Sequence, residues 1–202
     1  MGFLSDAVSW FQKGGPVMWP LLLSSLLLFW LGIERWLFYR AALSGPAFAE
    51  KLSAFAASGQ WQEARRLARE TKGEEAALAL AIVESAKNGA QLEAFAAAKA
   101  ERAIGKFEEY ISYIAVIVTL SPVLGLLGTI TGMIASFDAL DERMQNPMAV
   151  TAGISEALIT TVFGLCISIV AICVHTWFAQ KTKAASLSIE ETANTLLGAL
   201  LA

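Results

Sequence analysis

The feature that most limits what this chain can form is a run of 27 residues, Ile111 to Phe137, without one charged side chain. An α-helix needs about 20 apolar residues to carry it across ~30 Å of hydrocarbon, and this run exceeds that length. Two more stretches share the pattern. One spans 16–38 and is uncharged until Glu34 and Arg35, and the other spans 150–178 with Glu156 as its only acid. Backbone groups in hydrocarbon must be satisfied internally, and no strand-like alternation occurs anywhere, so the expected class is all-α with three transmembrane helices. Composition agrees: 56% of the 202 residues are hydrophobic and 16% are charged, a balance outside that of ordinary soluble domains.

The charges that remain set an orientation. Of 15 Lys and Arg, eleven fall between Arg35 and Lys106 and two more, Lys181 and Lys183, follow the third span, leaving Lys13 and Arg143 for the other side. Basic loops stay in the cytoplasm, so the N-terminus is expected outside and the C-terminus inside. The resulting plan is an outer interfacial segment at 1–15, spans at 16–38, 110–137 and 150–178, a cytoplasmic helical part at 39–109, an outer loop at 138–149 and a cytoplasmic tail at 179–202. Asp6 and a single Lys13 do not make the basic start of a cleaved signal; Phe3, Leu4, Ala7, Val8 and Phe11 instead suggest a short helix in the membrane interface. Trp19, Trp30, Trp36 and Tyr39 read as interface anchors of the first span.

Within the cytoplasmic part, Gly59, Gly73 and Asn88-Gly89 punctuate three helices at 47–57, 60–71 and 74–87. No turn signal separates Ala90 from Phe137, which predicts one long helix leaving the membrane, and the tail from Ala184 again reads as helix.

On a helical wheel the second span gathers Ser121, Gly125, Gly128, Thr129, Gly132, Ala135 and Ser136 on one stripe, and the third gathers Gly153, Glu156, Ala157, Thr160, Thr161, Gly164, Ser168, Ala171 and His175. Small residues four apart allow close backbone approach, so the glycines read as packing positions. Glu156 reads differently, because an acid within a span costs several kcal/mol unless it faces a cavity or a partner. Counted inward from Phe137 and Val150, Thr129 lies about 12 Å deep, Glu156 about 9 Å and Thr161 about 16 Å. Two hydroxyls and an acid in one layer could replace water around a cation that has shed its own.

Other chemistries find little support. Cys166 and Cys173 lie seven apart on one helix, about 10 Å along its axis, with no His or Cys at ligand spacing, so neither a disulfide nor a metal site is expected. Ser168 with His175 is the best nucleophile and base pair, yet no second acid supports it and no Gly-x-Ser-x-Gly element occurs; no enzyme activity and no cofactor are expected. His175 reads as a packing group near the end of its span. Basic residues interleaved with Glu, without an aromatic platform, do not describe a nucleic-acid surface.

The stretch Ser121-Pro122-Val123-Leu124-Gly125-Leu126-Leu127-Gly128-Thr129-Ile130-Thr131-Gly132-Met133, followed by Gly153-Ile154-Ser155-Glu156-Ala157-Leu158, resembles the hallmark of the ExbB/TolQ/MotA family. The likeness extends to Gly14-Gly15-Pro16-Val17-Met18-Trp19-Pro20 ahead of the first span and to Gly59-Gln60-Trp61, and the three-span plan is similar to the ExbB/TolQ branch. The resemblance implies a pentameric ring in the bacterial inner membrane around an ExbD- or TolR-like single-span partner with a transmembrane aspartate. It implies proton conduction that energises a TonB- or TolA-like transducer. Pore-lining positions map to Thr129, Glu156 and Thr161, and helix-packing positions to Pro122, Gly125, Gly128, Gly132 and Gly164. The alternatives are a TolQ-like envelope-maintenance subunit and a scaffold that conducts nothing.

Overall fold

The computed structural model describes residues 9–85, 89–142 and 147–201, and among them no strand occurs. Seven helices follow a short helical piece at 9–13: α1 Met18–Ala42, α2 Pro46–Ala57, α3 Trp61–Glu70, α4 Glu74–Val83, α5 Ala90–Glu108, α6 Ile111–Glu142 and α7 Pro147–Leu201. Stretches within Met18–Ala57, Ala90–Asp138 and Gly153–Leu201 are long and apolar enough to cross a membrane. The chain is an all-α membrane protein. The 55 residues of α7 rise about 80 Å at 1.5 Å each, well beyond the hydrocarbon thickness. Phe3, Leu4, Ala7 and Val8 of the expected interfacial helix, together with Asn88 and Arg143, lie outside the described residues.

Two compact units form, one from Met1–Gly32 and Ser112–Thr176, the other from Ile33–Ile111 and Trp177–Ala202. In the first, α6 buries Ile114, Ile117, Ser121, Gly125, Gly128, Gly132 and Ser136, while α7 buries Ala157, Thr160, Gly164, Ser168 and Ala171. Spacings of three and four make each set a narrow seam. Val123, Leu126 and Ile130 on α6, with Leu158, Val162 and Ile169 on α7, stay exposed on the other faces. In hydrocarbon that is no penalty, and helix association there depends on close packing of small residues.

The second unit has an alanine-rich core that includes Ala64, Ala68, Ala76, Ala79, Ala96, Ala100 and Ala103, filled out by Phe48, Leu52, Ile82, Phe107 and Leu196. Lys106 pairs with both oxygens of Glu74 at 2.7 Å, tying α5 to α4. Glu75 is buried and accepts from Ser188 Oγ at 2.8 Å and Thr192 Oγ1 at 2.7 Å, which fixes the far end of α7 against α4. Gly73, at φ 131°, is a position only glycine fits, since a Cβ there would lie 2.7 Å from the Ala42 carbonyl.

One expectation fails here. The helix predicted to run unbroken from Ala90 to Phe137 stops at Glu108 and restarts at Ile111, with Tyr110 at φ 64°. A left-handed tyrosine is uncommon, and the chain supplies a compensating group from far away. The Arg35 guanidinium, 1% exposed, donates to the carbonyls of Lys106 and Glu109, each at 3.0 Å, and stacks over Tyr110 and Phe38 at 4.9 and 4.5 Å. Glu34 balances its charge. Carbonyls released where α5 ends therefore meet a fixed cation. Tyr39 corrects a second expectation: it is buried rather than an interface anchor, its hydroxyl donating to the Phe107 carbonyl at 2.9 Å and meeting Thr182 Oγ1. Trp19, Trp30 and Trp36 are exposed.

Candidate functional site

The site is built on the antiparallel contact of α6 and α7. Gly164 brings the two backbones together, since a Cβ there would lie 2.6 Å from the Ser121 carbonyl and 3.0 Å from Gly125 Cα. A Cβ on Gly125 would lie 3.1 Å from Thr161 Cα. One on Gly128 would lie 2.5 Å from Thr160 Cβ, and one on Gly132 would lie 2.9 Å from Ala157 Cβ. These four glycines therefore form the seam between two helices of one chain.

Pro122 supplies the polar logic of that seam. Proline has no N–H, so it leaves the carbonyl four residues earlier, on Val118, without its helical donor. Ser168 Oγ on α7 donates to that carbonyl at 2.8 Å. Two turns away, Thr161 Oγ1 donates to the Gly125 carbonyl at 2.9 Å. The pairs 161 to 125 and 168 to 118 step by seven on both helices in opposite directions, which fixes an antiparallel register. Ser168, the better half of a nucleophile and base pair already disfavoured by its missing acid, spends its hydroxyl on a backbone carbonyl. The signal that could have found this was Pro122 itself, through the acceptor it must orphan.

The wheel stripes divide accordingly. Their centres are consumed by the seam, while Thr129, Glu156 and Thr161 lie half-buried on its flanks. The seam's register places Thr129 at the level of Ala157 to Thr160, between the other two. The three do not bond one another in a chain: Thr129 Oγ1 donates to the Leu126 carbonyl at 2.6 Å and Thr161 Oγ1 to Gly125. A hydroxyl that donates to a carbonyl still has lone pairs free to accept, so neither bond uses up the oxygen's capacity as an acceptor.

Glu156 has a neighbour that sequence reasoning missed. The Gly14-Gly15 turn ahead of α1 lies over it: a Cβ on Gly15 would overlap Glu156 Oε1 and sit 2.8 Å from Cδ. Neither cysteine is paired, and among the described residues no group of His, Cys, Asp and Glu could hold a metal.

The sequence model of the MotA/TolQ/ExbB proton channel family matches residues 63–191. Among curated relatives, the chain is 32% identical over 172 residues to the putative biopolymer transport protein ExbB-like 1 of Synechocystis sp., covering 81% of this chain and 67% of that one. It is 39% identical over 70 residues to the biopolymer transport protein ExbB of Salmonella typhimurium, 34% of this chain and 29% of the relative. With the Tol-Pal system protein TolQ of Haemophilus influenzae it shares 33% identity over 84 residues, 41% of this chain and 37% of the relative. The matched stretches thus span about a third of the Salmonella and Haemophilus proteins.

Proposed function

The chain belongs to the MotA/TolQ/ExbB proton channel family, and from that premise we propose that it is a motor subunit of the bacterial inner membrane that conducts protons along a path containing Thr129, Glu156 and Thr161. The carrying observation is Glu156: a carboxylate in the third span, half-buried beside a seam whose buried hydroxyls, those of Ser121, Ser136, Thr160 and Ser168, are committed to backbone carbonyls. In this reading the seam residues Pro122, Gly125, Gly128, Gly132 and Gly164 hold the wall, and the flanking oxygens serve the ion. Five copies surround a single-span partner of the ExbD or TolR kind, whose aspartate exchanges the proton, and the work reaches a TonB- or TolA-like transducer. The N-terminus faces the periplasm and the C-terminus the cytoplasm, because the cytoplasmic leaflet retains the basic segments.

The test is proton flux into proteoliposomes holding the chain and its partner. Glu156→Ala is expected to abolish flux and leave assembly intact, while Glu156→Gln, which keeps size and hydrogen bonding but cannot titrate, separates a proton relay from a fixed hydrogen-bonding group. Flux at the wild-type level in Glu156→Ala would remove the acid from the path. Flux that requires sodium and survives collapse of the proton gradient would reassign the ion. Similarity to TolQ supports envelope maintenance as the second reading of the driven process, distinguished by which transducer co-purifies. A chain that works without partner or proton gradient would be a scaffold.

A further inference from the structure

We propose that Gly15 is a positioning residue for Glu156: the turn ahead of α1 forms a backbone rest against which the carboxylate lies. This rests on the reading of Glu156 as the pathway acid. The turn is fixed on both sides. Gly14 N–H donates back to the Trp10 carbonyl at 3.0 Å, and the Gly15 carbonyl accepts from Met18 N–H at 3.2 Å. Phe11 meets Trp19 edge to face with ring centroids 5.2 Å apart, and it packs on the buried cluster of Val17, Met18 and Leu21. The turn is thus tied by hydrogen bonds at both glycines, whereas the Glu156 carboxylate is the free end of a flexible side chain.

Two separate features distinguish Gly15, one of backbone conformation and one of contact with the movable end of Glu156. Its φ of +67° disfavours any L side chain, and a Cβ would overlap Glu156 Oε1. The two features can be separated, because Gly59 has nearly the same φ, +69°, and nothing within 4 Å of its Cβ position. Gly59→Ala therefore carries the conformational cost alone. Gly15→Ala carries the same cost and also displaces the carboxylate from its rest. A glutamate driven into another rotamer loses the placement on which proton exchange with a partner depends, since small misplacements of a reacting group cost much of its rate.

The experiment uses the full chain in lipid nanodiscs and the apolar reagent N,N′-dicyclohexylcarbodiimide. A carboxylic acid adds across one C=N bond of this reagent, its proton going to nitrogen, and the O-acylisourea formed rearranges to a stable N-acylurea. Mass spectrometry of the peptide carrying Glu156 reads the rate. Gly15→Ala is expected to label several-fold faster than wild type, and Gly59→Ala to match wild type. Equal rates in all three, or equal acceleration by both alanines, would overturn the assignment. A thermal-unfolding cycle keeps the proposal testable if Gly15→Ala folds poorly. The drop in midpoint caused by Gly15→Ala should shrink to that of Gly59→Ala once Glu156 is alanine, and an undiminished drop, or failure to fold in both backgrounds, defeats the idea. Full proton flux in Glu156→Ala would instead remove the pathway reading and leave the labelling result standing.

Discussion

A Cβ placed on Gly128 comes within 2.5 Å of Thr160 Cβ, whereas one placed on Gly105 meets nothing within 4 Å. The two glycines both sit inside helices, so alanine has the same propensity advantage at each, roughly 1 kcal/mol. Thermal unfolding in detergent should show Gly105→Ala raising the midpoint and Gly128→Ala lowering it. At Glu75, an amide retains an oxygen able to accept from Ser188 and Thr192, while alanine strands both hydroxyls. Glu75→Gln should keep near-normal stability, and Glu75→Ala should lose about 1–3 kcal/mol by denaturant titration. Glu156 stood out in the sequence because an acid in an apolar run has few innocent explanations. Gly15 did not, since the carboxylate that a side chain there would displace lies more than a hundred residues along the chain.

Between elements, the seam of α6 and α7 makes a coupled prediction. Ser168→Ala leaves the Val118 carbonyl without a donor in hydrocarbon, at a cost of about 1–2 kcal/mol. Replacing Pro122 with alanine restores an N–H four residues after Val118, so Ser168→Ala should cost measurably less in the Pro122→Ala background. Additive losses in a double-mutant cycle of unfolding free energies would show that the serine does not answer the proline. The spans themselves were legible because hydrocarbon demands length and absence of charge, both visible in a linear string. The break between α5 and α6 was not legible. It carries no glycine or proline, and what stabilises it is Arg35, separated from its two carbonyl acceptors by 71 and 74 residues. Helix starts and stops with local causes can be read; those with distant causes need the fold.

For the whole molecule, the seam within one chain leaves Glu156 half covered, and the proposed ring would supply the rest of its surroundings. Native mass spectrometry of the chain with its partner is expected to find five copies, and Gly132→Leu, which wedges α6 from α7, should reduce their yield. Ring size is not legible in one sequence, because it is a property of angles between copies. The clamp on Arg35 has a consequence in time as well as space. At 5–20 residues per second, synthesis reaches Lys106 and Glu109 several seconds after Arg35. Throughout that interval the guanidinium has no carbonyl to hold, yet it sits at the end of a span already being inserted. Its immediate neighbour Glu34 is made first and is paired with it in the finished protein. Glu34 is thus the one of these partners that adjoins Arg35 in sequence, a counter-charge available to it before the two carbonyls emerge from the ribosome.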